Sequence, residues 1–508
     1  MQTLLENIQH NMEVRKSLIE MKSMLRGENA ARNRERLIKL CAGDYSAFLL
    51  LLKDSDAKVR KNAALIIGEL AEPKLKEELW TAYNNEKTRF VRSAYLEALK
   101  KYDYSDLLFG LKDILKQTED IKTDEENRKH IQEEKMLLRE LIGAKEKSRP
   151  HIYRGEGILS EIALTTNRNH KHIVLDALQG VRKKEFNAGV MVQTKYPMQL
   201  LSLRCFEEMF FLLPECRIVN AVPERAAQML ADGGLAEYLA ERHEEDERPF
   251  VFRIEIRSAM PLEKRAAFAR KLAAALEEAS GGRLVNAMAG YEVEIRLIEA
   301  KNGDFNVLLK LLTLKDLRFA YRRKTVSTGM RPVNAALAIA LAEQEKRGKG
   351  TGIPFFKENA RVLDPFCGSG TMLIERAKIG KVKEMYGLDI LAEAIEAARF
   401  NTNLADCKAN YVHRDFFTFT SDIRFDEIIT DMPFFTSELP ERKRETEQLY
   451  ARFFERIPKL MAEDGVLLLY THNRELVKKY ITPEFAICRE YELSMKEGCY
   501  LFLLERVE

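Results

Sequence analysis

The chain has 508 residues, and 46% of them are hydrophobic. A length of this order corresponds to about three domains, and this fraction of apolar side chains is large enough to fill their cores. The formal net charge is only +3 at pH 7. The overall charge therefore does not indicate a nucleic-acid partner, and evidence for one must come from local basic patches.

Two further classes of protein are excluded on composition. The chain has no charged-then-apolar leader at its N-terminus and no apolar run of about 18 residues, so we expect neither export nor a membrane span. Its 7 cysteines show no Cys-x-x-Cys spacing and no paired histidines, which predicts reduced thiols and no bound metal. We therefore expect a cytoplasmic protein.

The first segment, residues 1–117, is predicted to be helical throughout. A Val-Arg pair followed by small residues begins at Val59 and recurs at Val91, which indicates a helical repeat. The stretch 48–60, an apolar helix followed by a polar turn and a second helix, resembles a HEAT-type unit. The alternative is a plain helical bundle. In either case we expect this segment to hold a protein partner or to extend the surface that receives the substrate.

Two different segments follow. Residues 118–149 are dense in charges of both signs and contain no β-branched run, which predicts a solvated charged helix that links domains. From Pro150 the composition changes, and residues 150–315 mix strand-like and helix-like patterns, as in an α+β region. Its clearest strands, near 250–256 and 291–297, alternate apolar and charged residues, which predicts a sheet with one face in water.

Residues 316–508 contain the most informative motif of the chain. An apolar strand at 360–363 runs into a glycine-rich turn and then a helix, with the sequence Asp364-Pro365-Phe366-Cys367-Gly368-Ser369-Gly370-Thr371. Such a turn brings backbone N–H groups close to a ligand and favours a nucleotide cofactor. Leu373 stands where a dinucleotide fingerprint has its third glycine, so a pyrophosphate cofactor is disfavoured. Taken alone, a Gly-x-Gly sequence after a strand is more often an ordinary tight turn.

Acidic residues end the predicted strands that follow. The second strand ends at Asp389, where such sheets hold ribose hydroxyls. The third ends at Asp415, and the fourth runs into Asp431-Met432-Pro433-Phe434. Each of these acids alone would be interpreted as a helix cap or a solvated side chain. Their order and spacing argue for a shared site at the carboxyl ends of the strands.

The remaining elements complete an α/β domain. Helices are predicted at 371–380, 391–404 and 441–462, and strands at 465–470, 484–495 and 499–506. This alternation predicts a doubly wound, mostly parallel sheet with right-handed crossovers. The last two strands are separated by a short turn, which predicts an antiparallel hairpin that closes the sheet.

These motifs resemble the signature of class I S-adenosylmethionine-dependent methyltransferases that methylate amino groups, Asp-Pro-Phe-x-Gly-x-Gly-Thr followed by (Asp/Asn)-x-Pro-(Phe/Tyr). The resemblance implies a Rossmann-like fold, S-adenosylmethionine as the cofactor and no metal. It assigns cofactor binding to Asp364, Phe366, Gly368, Gly370, Thr371, Asp389 and Asp415. It assigns catalysis to Asp431, Pro433 and Phe434. The Asp431 side chain and a neighbouring carbonyl would hold the two N–H bonds of an exocyclic amine, and Phe434 would stack on the base.

A basic run, residues 321–332, lies near the start of this domain and leads into a helix at 333–338. Together with the α+β region, it resembles the joint of THUMP-containing RNA guanine-N2 methyltransferases, the putative RNA methylase family. The resemblance implies a THUMP-like, ferredoxin-like module over residues 150–315 that binds RNA. It assigns RNA contacts to Tyr321, Arg322, Arg323, Lys324 and Arg331; the alternative is a solvated basic loop. Arg182-Lys183-Lys184 is a second basic candidate, for which a solvated helix end is favoured.

The sequence thus leads to three functional hypotheses. The first is methyl transfer to the exocyclic amine of guanine in RNA, above all tRNA, which the α+β region and the basic run favour. The second applies the same motif to rRNA guanine, DNA adenine or protein glutamine. The third is a non-catalytic RNA-binding scaffold with a degenerate methyltransferase fold. The intact Gly368, Gly370, Asp389 and Asp431 argue against the third.

Overall fold

The structure is a computed structural model that describes residues 1–27, 29–119, 127–145, 150–246, 248–327, 329–347, 352–434 and 439–507. Helices and strands are numbered in chain order. The N-terminal helices are α1 (Gln2–Gln9), α2 (Val14–Arg26), α3 (Ala30–Cys41), α4 (Ser46–Leu51), α5 (Ala57–Leu70), α6 (Lys76–Asn85), α7 (Arg89–Leu99), α8 (Leu108–Glu119) and α9 (Arg128–Lys145).

The middle of the chain mixes the two kinds of element. In order they are β1 (Ser160–Thr166), α10 (Lys171–Ala177), β2 (Arg182–Phe186), β3 (Gly189–Thr194), β4 (Phe206–Phe211), β5 (Ile218–Val219), α11 (Pro223–Asp232), α12 (Leu235–Glu241), β6 (Phe250–Arg257), α13 (Leu262–Ala279), β7 (Leu284–Asn286), β8 (Val293–Glu299) and β9 (Phe305–Leu311).

The C-terminal part alternates helix and strand. In order the elements are α14 (Pro332–Gln344), β10 (Ala360–Asp364), α15 (Thr371–Ile379), β11 (Val382–Asp389), α16 (Ala392–Leu404), β12 (Asn410–His413), β13 (Phe425–Asp431), α17 (Pro440–Arg456), β14 (Met461–Thr471), α18 (Arg474–Tyr480), β15 (Phe485–Ser494) and β16 (Cys499–Arg506). None of the helices in the described part of the chain combines the length and the apolarity needed to cross a bilayer.

The chain divides into two compact units. The first consists of Met1–Ile152 and Glu215–Val307, and the second of Tyr153–Pro214 and Leu308–Glu508. The α+β region therefore contributes one part of its length to each unit.

In the first unit the helices pack as consecutive pairs, α1 with α2, α4 with α5, α6 with α7 and α8 with α9. The second helices of successive pairs also pack on one another, α2 on α5, α5 on α7 and α7 on α9. These four helices therefore form one row. A Cβ at Gly68 of α5 would lie 2.6 Å from the Cα of Ala98 at the end of α7, so only a glycine permits this approach. The stacked pairs are the arrangement that the HEAT-type pattern predicts.

Helix α9 differs from the expected solvated linker. Its apolar residues, including Leu137, Leu138 and Leu141, are buried in the helical core. Glu134 is also buried, and it accepts hydrogen bonds from the Tyr83 hydroxyl at 2.8 Å and from Arg92 at 2.6 Å. The apolar positions form one stripe of the helix, which the density of charges on its other faces conceals in the sequence. Residues 120–126 and 146–149 of the expected linker lie outside the described residues.

The rest of the first unit is a sheet covered by helices. β6 pairs in parallel with β7 and β8, and β5 pairs antiparallel with the start of β9. α13 packs on β6, β7 and α11. Along β6, Phe250, Phe252, Ile254 and Ile256 are buried and the residues between them are partly exposed. This strand has the single buried face that its alternating sequence predicts.

The second unit begins with a set of antiparallel strands. β1 pairs with β3 and β4, and β2 pairs with β3. The basic stretch that begins at Arg182 belongs to β2, where Arg182 pairs with Gln193, so the expected solvated helix end is wrong. β2 is an edge strand with almost no burial, and an exposed edge with charged side chains lacks the alternation by which a strand is predicted.

The larger sheet of the second unit has the strand order β12-β11-β10-β13-β14-β16-β15. β10 to β14 are parallel, and β16 is antiparallel to β14 and β15, which confirms the doubly wound sheet and its closing hairpin. Successive residues of β10 enter different cores: Val362 packs with α14 and α15, whereas Leu363 packs with α17. α17 ends earlier than predicted, because Pro458 cannot continue a helix.

Candidate active site

The glycine-rich turn lies between β10 and α15, at the carboxyl edge of the parallel strands. Gly368 and Gly370 have φ values of 51° and 82°, a left-handed region that favours glycine. A Cβ at Gly370 would lie 2.5 Å from the Tyr411 hydroxyl, and one at Gly387 would lie 2.6 Å from the Tyr411 ring. The hydroxyl groups of Tyr411 and Thr402 are hydrogen-bonded, with 2.7 Å between their oxygens. The Tyr411 ring fills the space behind the turn. Gly370 is therefore required by packing as well as by backbone conformation, Gly387 by packing, and Gly368 by backbone conformation.

Asp389 ends β11 beside this turn. Its carboxylate accepts hydrogen bonds from the backbone N–H groups of Gly368, at 3.0 Å, and Leu391, at 2.9 Å. A carboxylate has about four acceptor positions, so two remain for hydroxyl groups of a ligand. The next residue, Ile390, is 65% exposed and gives an apolar surface beside the acid. The sequence analysis missed Ile390, and the one signal for it is its position directly after a strand end.

Asp364 ends β10 and is 1% exposed. Its carboxylate accepts from the Thr430 hydroxyl at 2.9 Å and from the backbone N–H of Phe366 at 3.1 Å. Burial, together with the negative charge of Asp389, raises its pKa to about 7. The structure thus gives Asp364 the role of fixing the turn, and direct contact with a cofactor stays a prediction.

Asp431 ends β13, next to the strand that carries Asp364. Burial and the charge of Asp364 raise the pKa of Asp431 to about 8. No residue in the described ranges donates a hydrogen bond to its carboxylate. A half-buried acid with unused acceptor positions is a typical feature of a functional site.

Phe434 lies two residues beyond the buried Met432, and 40% of it is exposed. Its ring stacks on that of His472, with centroids 4.3 Å apart and an angle of 27° between the planes. His472 follows β14, and its Nδ1 lies 3.0 Å from the carbonyl oxygen of Glu497. Sequence analysis missed His472, although its position at the end of a parallel strand could have identified it. Pro433, between Met432 and Phe434, is half-buried.

The other predicted cofactor residues have different surroundings. Phe366 packs against Phe416 and Phe453, with ring centroids 5.6 and 6.0 Å away. Thr371 is buried at the start of α15. Asp415 lies just past the end of β12, and its exposed carboxylate accepts from the Phe417 backbone N–H at 2.9 Å. The turn, Asp389 and Asp431 come together at one edge of the sheet, and Asp415 lies on the neighbouring loop.

The basic joint, residues 321–331, contains one residue that the structure removes from the predicted RNA contacts. Tyr321 is only 5% exposed, and its hydroxyl donates to Glu375 at 2.6 Å. Glu375, on α15, is also bound by the Arg204 guanidinium at 2.7 Å. Tyr321 therefore anchors the joint and cannot stack on a base. Its partner lies far away in the sequence, so an aromatic residue in a basic run was misinterpreted as exposed.

The basic side chains of the joint differ in exposure. Arg322 is partly buried and donates to the carbonyl of Gly329 at 3.0 Å, and burial lowers its pKa. Arg323 and Lys324 are exposed. Arg331, also exposed, lies 3.5 Å from a carboxylate oxygen of Glu207. Thr328 of the joint lies outside the described residues.

The comparisons with known proteins agree with this geometry. Residues 322–501 match the family described as UPF0020, RMKL-like, methyltransferase domain. These residues are thus similar to the methyltransferase domain of that family. A separate match, to HEAT repeats, covers residues 46–125.

Individual relatives were also found. A "tRNA (guanine(10)-N2)-dimethyltransferase" of Methanothermobacter thermautotrophicus is 30% identical over 160 residues, which are 30% of this chain and 45% of that protein. The chain thus matches less than half of the length of this curated relative. TrmN from Thermus thermophilus, at 19% identity and a TM-score of 0.50, covers 69% of this chain and 100% of its own, and it shares the fold. A possible methylase from Clostridium difficile 630 has 17% identity, a TM-score of 0.49 and coverage of 69% and 98%.

Proposed function

We propose that this protein is an S-adenosylmethionine-dependent RNA methyltransferase that methylates the exocyclic amine of guanine, with tRNA as the substrate. The observation that carries the proposal is the Asp431 carboxylate, which has unused acceptor positions and is followed by the half-exposed ring of Phe434. The tRNA guanine-N2 activity in the name of the curated relative supports this choice of substrate. We place the protein in the cytoplasm on the same ground.

The glycine-rich turn and Asp389 fit the cofactor. The turn has no side chain at Gly368 or Gly370, so its backbone can approach a ligand closely. Both glycines adopt left-handed backbone angles. The remaining acceptor positions of Asp389 suit ribose hydroxyls, Ile390 offers an apolar surface for a base, and Asp415 offers an exposed carboxylate for an amino group. S-adenosylmethionine, when bound there, supplies a methyl group on a sulfonium sulfur, and the sulfur is a good leaving group.

The residues around Asp431 then account for activation of the amine. The lone pair of an exocyclic amine is delocalised into the ring of the base, so the amine is a poor nucleophile until its hydrogens are held. Asp431 accepts one N–H bond, and a neighbouring backbone carbonyl accepts the other. Phe434, supported from behind by His472, stacks on the base after it leaves its helix. Alignment of the amine supplies most of the rate gain, and Asp431 also accepts the released proton.

RNA binding is proposed for two groups of residues, and protein binding for a third. The exposed Arg323, Lys324 and Arg331 contact phosphates, and the α+β region 150–315 acts as a THUMP-like RNA-binding module. The HEAT repeats hold a protein partner, since stacked helical pairs present a long surface of this kind.

The proposal is tested by transfer of labelled methyl from S-adenosylmethionine to undermodified total RNA. The RNA is fractionated by size, and the labelled nucleoside is identified by mass spectrometry. N2-methylguanosine in the tRNA fraction is the expected result. Label in rRNA would identify a different RNA substrate, and cofactor binding without label in any RNA would point to DNA adenine, protein glutamine or a scaffold role.

Gly370→Ala should weaken binding of S-adenosylhomocysteine by about 10- to 100-fold, because the strained backbone of the alanine adds to the clash of its Cβ with the Tyr411 hydroxyl. Isothermal titration calorimetry measures this. Adding Tyr411→Phe removes the clashing oxygen and should restore part of the affinity. Gly303→Ala is the matched control, because Gly303 has a φ of 87° but no atom within 4 Å of a Cβ. Equal affinities for the Gly370 variant and the parent would contradict the assignment of the turn.

Arg323→Ala combined with Lys324→Ala should lower RNA affinity and reduce the slope of log Kd against log salt concentration by about 1 for each phosphate that the variant no longer binds. Fluorescence anisotropy with labelled tRNA at several salt concentrations gives the slope. Lys459→Ala is the control, because Lys459 is exposed and precedes β14, away from the carboxyl edge of the sheet. An unchanged slope in the double variant would remove these two residues from the RNA-binding surface.

A further inference from the structure

Asn401, on α16, is a buried polar residue that joins two functional loops. Its side chain is 0% exposed. Its Oδ1 accepts hydrogen bonds from the backbone N–H groups of Arg323, at 3.1 Å, and Lys324, at 3.0 Å. Both residues belong to the basic joint, so the amide oxygen fixes the backbone that carries the two exposed cations.

The nitrogen of the same amide reaches the glycine-rich turn. Nδ2 donates to the carbonyl of Lys324 at 2.8 Å and to the carbonyl of Ser369 at 3.2 Å. Ser369 lies between Gly368 and Gly370. An amide side chain has two donor hydrogens and two acceptor lone pairs, and Asn401 uses all of them on these two loops.

A second contact brings the joint to the turn. A Cβ built on Gly368 would lie 3.7 Å from a methyl group of Val326, an ordinary van der Waals distance. The chain that follows Lys324 in the joint thus crosses the face of the turn. A displacement of either loop would leave buried polar groups of Asn401 unpaired, which is costly.

We propose that Asn401 is a positioning residue that couples cofactor binding to RNA binding. The inference rests on the proposed function. Order at the glycine-rich turn, once the cofactor is bound, is transmitted through the amide to the backbone of Arg323 and Lys324, which contact phosphate. Because such coupling is reciprocal, RNA also strengthens cofactor binding by the same factor. The enzyme therefore binds RNA most tightly when it is loaded with cofactor.

The coupling is measured as the ratio of tRNA affinities with and without saturating S-adenosylhomocysteine. A ratio of about 10 is expected for the parent protein, within the usual range of such effects. Asn401→Asp has the same shape and keeps both acceptor contacts, but it loses both donated hydrogen bonds and places an oxygen against the carbonyl of Ser369. Its ratio should fall to about 1. Asn403→Asp, an exposed change on the same helix, should keep the parent ratio.

A measurement on the parent protein avoids any folding defect of the variant. Hydrogen exchange followed by mass spectrometry should show slower exchange in residues 321–327 when S-adenosylhomocysteine is added without RNA. Slower exchange at the turn alone, or a parent ratio of 1, would overturn the coupling while leaving the methyltransferase assignment intact. Failure of the proposed function is a separate result, namely no methyl transfer to any RNA.

Discussion

Asp431→Ala is expected to lower kcat by about 10²- to 10⁴-fold, the usual contribution of a group that positions or accepts a proton. The variant loses the carboxylate that would hold the amine, whereas the cofactor turn at the other strands keeps its contacts. Affinity for S-adenosylhomocysteine should therefore stay within about twofold. Single-turnover methyl transfer to tRNA measures the first effect, and calorimetry measures the second.

The pH dependence of the same step gives an independent test. The folded pKa of Asp431 is raised to about 8 by burial and by the charge of Asp364, and only the ionised carboxylate can take a proton. In the parent protein kcat/KM should therefore rise with pH through about 8. Asp431→Asn keeps a carbonyl acceptor but cannot ionise, so its residual activity should lack this rise. Asp422→Asn, an exposed change, should leave the profile unaltered. Full activity of Asp431→Ala would show that the amine is activated elsewhere.

Arg376→Met is expected to destabilise the protein by about 3–5 kcal/mol, the usual cost of removing one partner from a buried ion pair. Arg376 of α15 and Glu427 of β13 are 2% and 0% exposed, with 2.7 Å between Nε and Oε2. Glu427 also accepts from the backbone N–H of Lys357 at 2.8 Å. The variant would leave this carboxylate buried with only one of its partners.

A matched set of variants separates the loss of the pair from the loss of packing. Arg376→Met combined with Glu427→Leu removes both charges and should recover most of the stability, because apolar replacements of a buried pair are often neutral. Lys479→Met breaks the exposed pair with Glu447 and should cost at most about 1 kcal/mol. Urea unfolding followed by circular dichroism gives these values. A double variant as unstable as Arg376→Met would contradict the electrostatic explanation.

The predicted strand ends were the most successful part of the sequence analysis. β10, β11 and β13 end at Asp364, Asp389 and Asp431, because an apolar run followed by an acid is a local pattern. The third strand is less regular: β12 ends at His413, and Asp415 caps the short turn after it. The sequence predicted that the glycines of the cofactor turn are needed for its backbone conformation. It did not predict that Tyr411 packs behind them.

Two of the misinterpretations depend on partners that are distant in the sequence. Tyr321 is bound by Glu375, which follows it by 54 residues. α9 is buried by the earlier helices α7 and α8. Asn401 was overlooked because an asparagine within a helix has no local signal, and its hydrogen bonds to the two loops form only in the folded chain. Local pattern therefore predicts where the strands end, and tertiary contacts decide which side chains face the ligand.

The position of Tyr411 also constrains how this domain can diversify. One phenol ring blocks a side chain at both Gly370 and Gly387, so three positions on three different elements cannot change independently. A smaller residue at 411 would have to arise before alanine became acceptable at 387, and the reverse order would pass through an overpacked intermediate. Among descendants of this chain, positions 387 and 411 should covary, with the change at 411 first, whereas position 370 should stay glycine because of its left-handed backbone.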